Sequence, residues 1–144
     1  MTKADFEALA DFRYRLRRFL RFSEEVTRRN GVMALQYQLL LQIRGFPGRD
    51  WATVGELAER LQAKHHGVVS LISRCEASGW VRRSAGRDDG RRVEVTLTKD
   101  GKRRVENLAK LHRAELLSYR STLATPSESA RSSRARQTRK RSRR

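Results

Sequence analysis

From Ala4 to about Arg28, the apolar residues Phe6, Leu9, Phe12, Leu16, Phe19, Leu20 and Val26 recur at three- and four-residue spacings, the stripe of an amphipathic helix. The other face is mostly Arg and Glu, and Asn30-Gly31 ends the pattern. A second run, Leu35, Tyr37, Leu39, Leu40, Leu41 and Ile43, reads as a helix that stops before Gly45 and Pro47. Its apolarity on every side predicts burial. After a loop through Gly48-Arg49-Asp50, Thr53-Val54-Gly55-Glu56 has the form of a capping box, with the Thr side chain on the backbone and the Glu reaching back. A short helix with Val54, Leu57, Ala58 and Leu61 inward should start there and run out near Gln62. Another begins within a few residues and continues to Ser78, where Gly79 stops it. Two short helices joined by so tight a turn, with the small Ala58 at their crossing, predict a helix-turn-helix over about 53–78.

Past Gly79 the period changes from helical to alternating. Trp80-Val81-Arg82-Arg83, a polar stretch from Ser84 to Gly90, and Arg92-Val93-Glu94-Val95-Thr96-Leu97 form the pattern of a β-hairpin over about 80–97 with a basic, Gly-containing tip. Thr98-Lys99-Asp100-Gly101 can cap a further helix, whose Val105, Leu108, Leu111, His112, Leu116 and Tyr119 lie mainly along one face and which should end before Pro126. The expected fold is mainly α with a small β-hairpin wing: a winged helix-turn-helix, the layout of a DNA-binding domain, flanked by N- and C-terminal helices within residues 1–125. Residues 126–144 hold eight Arg or Lys against one Glu and no apolar stripe. Such a segment cannot bury enough apolar surface to offset its ordering entropy, so a basic disordered tail is expected there.

Charge sharpens this picture. The 144 residues contain 33 Lys plus Arg against 16 Asp plus Glu, a formal charge of +17, which points to a polyanionic partner. No apolar run approaches the ~20 residues needed to span a bilayer, and the arginines between 13 and 21 interrupt any signal-peptide centre. The lone Cys75 cannot form an internal disulfide. It falls on an inward helix face, where a free cysteine packs as a small apolar residue. A cytoplasmic protein, associated with the nucleoid through its DNA, is expected. His65, His66 and His112 lack the spacing of a metal site. Neither a nucleophile–base pair nor a phosphate loop nor an acidic metal cluster supports an enzyme, and no cofactor is expected.

A recognition helix must keep an apolar face on its domain while a polar face reaches bases and phosphates in the major groove. At ~100° per residue, Val68, Leu71, Ile72 and Cys75 fall together, and His66, Ser70, Ser73 and Arg74 fall opposite. Base readout is expected from His66 and Ser70, phosphate contact from Arg74, and either role from Lys64 and His65 at the helix start, where free N–H groups favour anions. On the wing, Arg87, Arg91 and Arg92 are candidates for the minor groove. The chain has more apolar stripes than one small core needs, so the first helix and residues 105–121 are expected to form a two-fold interface.

These elements together resemble the MarR family of bacterial transcriptional regulators over roughly residues 5–122. The likeness runs through Thr53-Val54-Gly55-Glu56-Leu57-Ala58-Glu59-Arg60-Leu61, Gly79-Trp80-Val81-Arg82-Arg83, the Asp-x-Arg motif Asp89-Gly90-Arg91, and the wing-to-helix junction Val95-Thr96-Leu97-Thr98-Lys99-Asp100-Gly101. The resemblance implies that Asp89 orients Arg91 through a salt bridge. It also implies a homodimeric regulator, expected to be a repressor on a palindromic double-stranded operator, released by a small aromatic effector. Phe12, Phe19, Trp51 and His112 are the candidate effector-lining residues. Two features depart from the family pattern: residues 126–144 offer no final apolar helix for the dimer, and Gly90 stands where a basic residue is frequent. The alternatives are a nonspecific nucleic-acid-binding or architectural protein and a membrane-surface protein, since the first helix is basic and amphipathic.

Overall fold

The computed structural model describes residues 1–86 and 91–119. Along the chain run α1 (Lys3–Arg29), α2 (Ala34–Arg44), β1 (Trp51–Thr53), α3 (Val54–Leu61), α4 (His65–Ala77), β2 (Val81–Ala85), β3 (Val93–Leu97) and α5 (Lys99–Ser118). Every expected helix and both wing strands are present. The basic tail and the wing tip, with Arg87, Asp89 and Gly90, lie outside the described residues. Among those residues, no helix is long and apolar enough to cross a membrane.

One strand escaped the sequence pattern. The three residues of β1 are too few to show alternation, yet they pair antiparallel with β3, Ala52 opposite Val95, and complete a sheet of order β1-β3-β2. The hairpin register sets Arg83 opposite Val95 and Val81 opposite Leu97. Ala52, Val81, Val95 and Leu97 thereby point into one core with Leu39, Leu40, Ile43, Leu57, Val68, Ile72 and Val105. Burial of α2 is one-sided, contrary to its all-round apolarity: Tyr37, Leu39, Leu40 and Ile43 are buried, whereas Leu35 and Leu41 remain exposed.

Two compact units divide the chain: Ser23–His112, and Met1–Phe22 with the segment from Arg113 onward. The first contains the sheet, the helix-turn-helix and the core. There α1 buries Ser23 and Thr27, both with partners: the Thr27 hydroxyl donates to the Ser23 carbonyl at 2.8 Å, and the Ser23 hydroxyl lies 2.8 Å from His112 Nε2. In the other unit, Phe12, Leu16, Phe19 and Phe22 are half-buried, and the buried Tyr119 donates its hydroxyl to Glu115 Oε1 at 2.8 Å. Phe6, Leu9, Tyr14, Leu20, Leu116 and Leu117 stay exposed there.

Candidate nucleic-acid interface

The helix-turn-helix is assembled from local signals. Thr53 caps α3, its side chain accepting from the Glu56 N–H at 3.3 Å. The Glu56 carboxylate accepts the Thr53 hydroxyl at 2.9 Å and pairs with Arg49. At the other end Gln62 takes a left-handed conformation, φ 49°, and Ala63 N–H bonds the Ala58 carbonyl at 3.0 Å, turning the chain into α4 within three residues. Gly79, at φ 77°, ends α4. That left-handed geometry is open to glycine at little cost.

As the helical period requires, α4 divides into two faces. Val68, Ile72 and Cys75 are buried on the core, with Leu71 packed beside them. Burial in apolar surroundings pushes the Cys75 thiol up to about 11, so it stays protonated and unreactive near neutral pH. Lys64, at the N-cap, and His65, His66, Ser70 and Arg74 are all exposed. Of the five candidate contacts, His66, Ser70 and Arg74 share the face opposite the core, and Lys64 and His65 stand at the helix start. A groove of about 270 Å³ runs beside it, lined by Leu35, Leu61, Leu71, Ser70 and Arg74 among others.

Ser73 also lies on the outer face but is already engaged: its hydroxyl donates to the Val69 carbonyl at 3.0 Å and accepts from Arg83 Nη2 at 2.6 Å. Arg83, on β2, braces the helix further. Its Nη2 also donates to the Val69 carbonyl at 3.0 Å, its Nη1 stands 3.4 Å from Glu76 Oε1, and its backbone N–H donates to Glu76 Oε2 at 2.9 Å. Sequence reading missed this brace. Its only trace there is the opposite charge of Glu76 and Arg83 across the Gly79 turn.

Of the wing candidates, Arg91 and Arg92 are exposed beside β3, and Arg92 stands 3.9 Å from Glu56. Arg87 and Asp89 lie outside the described residues, as does any Asp89–Arg91 pairing. The four effector candidates fall in different units, Phe12 and Phe19 in one, Trp51 and His112 in the other. Trp51 lies under the Arg49 guanidinium, 3.8 Å from its ring centroid. His112 is buried and stacked on Tyr37 with ring centroids 4.2 Å apart. Its Nδ1 is 2.7 Å from the Leu108 carbonyl and its Nε2 2.8 Å from Ser23 Oγ. A carbonyl only accepts, so Nδ1 carries a proton and donates it to Leu108.

Comparison with known proteins agrees with this geometry. Residues 30–92, from just after α1 to the residue before β3, match the model of the MarR family. Among solved structures, AbsC, a MarR family transcriptional regulator from Streptomyces coelicolor, superposes with a TM-score of 0.73 at 21% identity, over 94% of this chain and 90% of that one. A variant of Escherichia coli MarR complexed with operator DNA gives 0.66 at 23% identity over 88% of each chain. A Staphylococcus aureus MepR variant bound to an oligodeoxyribonucleotide gives 0.63 at 20% identity, over 91% of this chain and 93% of that one. No curated protein sequence matches the chain. The expected resemblance to the MarR family and the winged helix-turn-helix fold are both borne out.

Proposed function

From the match of residues 30–92 to the model of the MarR family, we infer that the chain is a DNA-binding transcriptional regulator, and we propose that it is a homodimeric, sequence-specific repressor. The observation that carries the reading is the two-faced α4, whose Lys64, His65, His66, Ser70 and Arg74 are exposed while Val68, Ile72 and Cys75 anchor it. Side chains projecting from a helix held in this way can enter a major groove. Arg91 and Arg92, with Arg87 beside them in sequence, supply phosphate or minor-groove contact. Two-fold symmetry would set two recognition helices about 34 Å apart, one helical turn of DNA. The exposed Phe6, Leu9, Leu20, Leu116 and Leu117 are the apolar surface a second copy would cover.

Release by a small aromatic effector is the finer part of the proposal and rests on the family likeness alone. Such a ligand acts only through unequal affinity for the two states of the protein. In this account the protein is cytoplasmic and carries out no chemistry of its own.

The test is base preference. Ser70→Ala or His66→Ala should change discrimination by about 1–3 kcal/mol at one position in each half-site, read by binding to a panel of singly substituted operators. Uniform weakening on every sequence would contradict the assignment of these residues to base readout.

A further inference from the structure

The loop before the helix-turn-helix, the first turn of α3 and the wing meet at one carboxylate. Glu56 is fixed from two sides: Oε1 accepts the Thr53 hydroxyl at 2.9 Å, and Oε2 is paired with Arg49 Nη2. Arg49 is itself confined, its guanidinium 4.2 Å from the Phe46 ring centroid and 3.8 Å from that of Trp51, a cation–π arrangement on two rings. Arg92 approaches from the wing, with Nη2 3.9 Å from Glu56 Oε1. That distance is too long for a hydrogen bond and short enough for Coulombic attraction. The Arg92 side chain is 54% exposed, against 26% for Glu56.

These contacts are unequal. The carboxylate stays in place when Arg92 leaves, because Thr53 and Arg49 still hold it, whereas among the described residues the Arg92 side chain is held by that charge attraction alone. We propose that Glu56 is an internal competitor of DNA phosphate for Arg92, setting how strongly the wing grips the DNA backbone. The proposal rests on the DNA-binding reading above. A phosphate reached by Arg92 must displace the protein's own anion, so the contact is made at a discount. An exposed pair of this kind corresponds to about a two- to fivefold change in affinity. Phosphate contacts carry no sequence information, so the discount should be visible on random DNA.

The experiment measures binding of the full chain to a random-sequence duplex by fluorescence anisotropy between about 0.05 and 0.2 M salt, where counterion release governs affinity. Glu56→Gln keeps an acceptor for the Thr53 hydroxyl and removes the charge. It should tighten binding about two- to fivefold per protomer and steepen the slope of log K against log salt by about 0.9. Glu59→Gln, which removes an exposed charge from the same helix, should leave the slope as it is. In an Arg92→Gln background, Glu56→Gln should change nothing. Should Glu56→Gln not fold, Arg92→Gln in the wild-type background reads the same contact: an Arg92 that is competed for contributes less than one full phosphate contact, so the slope falls by less than about 0.9, and a fall of the full amount would overturn the competitor role. An unchanged slope, or weaker binding by a folded variant, would overturn the competitor role while leaving the DNA-binding function standing. Absence of binding by the wild-type protein would overturn both.

Discussion

Gly101 has no room for a side chain, because a Cβ there would overlap the carbonyl oxygen of Trp80. The same junction is tied by Thr98, whose N–H reaches the Trp80 carbonyl at 3.0 Å, whose hydroxyl donates to Gly79 O at 2.6 Å, and whose Oγ1 accepts from Gly101 N–H at 3.0 Å. Gly101→Ala should therefore cost about 1–3 kcal/mol of overpacking against backbone that cannot give way. Gly55→Ala, where an added Cβ meets nothing within 4 Å, should be neutral or stabilising by up to about 1 kcal/mol. Urea denaturation of both variants checks the contrast, and equal effects would contradict the close approach. The Thr98 cap was legible in sequence because a hydroxyl three residues ahead of a helical N–H is a local signal. The steric need at Gly101 was not, since it depends on Trp80, 21 residues earlier in the chain. Ser23 and Thr27 illustrate the same limit. Periodicity counts them as polar, yet a hydroxyl that finds a carbonyl one turn back, as Thr27 does, can be buried at little cost.

At the level of elements, α4 and the hairpin behave as one assembly. Arg83 joins them through the Val69 carbonyl, the Ser73 hydroxyl and the Glu76 carboxylate. Its side chain is 30% exposed, so the screened charge pair adds less than the hydrogen bonds do. Arg83→Ala should lower stability by about 1–2 kcal/mol and weaken operator binding more than it weakens binding to random duplex, because α4 loses its fixed pose on the sheet. Denaturant melts and paired binding isotherms check this; an unchanged ratio of specific to random affinity would show that the brace serves stability alone. The α4 faces were legible because 3.6-residue periodicity places Val68, Ile72 and Cys75 together without reference to the rest of the chain. β1 was not legible, since its strand character comes from pairing with β3 rather than from its three residues. For α2, apolarity on every side overstated burial. Leu35 lines the groove beside α4, and both it and Leu41 stay exposed.

For the whole molecule, the charge of +17 favours a polyanionic partner, and under the proposed function the patterned face of α4 is what would make one DNA sequence preferable to another. Charge alone was enough to point to a polyanion. The fold was legible because the order of periods, helical through α4, alternating through the wing and helical again, admits few arrangements. Of the candidate contacts, the α4 set follows from one helix, whereas the wing contacts depend on side-chain pairing: Arg92 sits beside Glu56, a relation across 36 residues that no local pattern encodes. Sequence-specific, two-fold binding is tested by selection of genomic fragments with the purified full chain at about 0.15 M salt, where charges more than about 8 Å apart are largely screened. A two-fold, sequence-specific regulator should recover one short palindrome, its half-sites about one helical turn apart and preferred a thousandfold or more over random DNA. Broad recovery of fragments with no shared site would contradict it and leave a nonspecific, architectural DNA-binding protein.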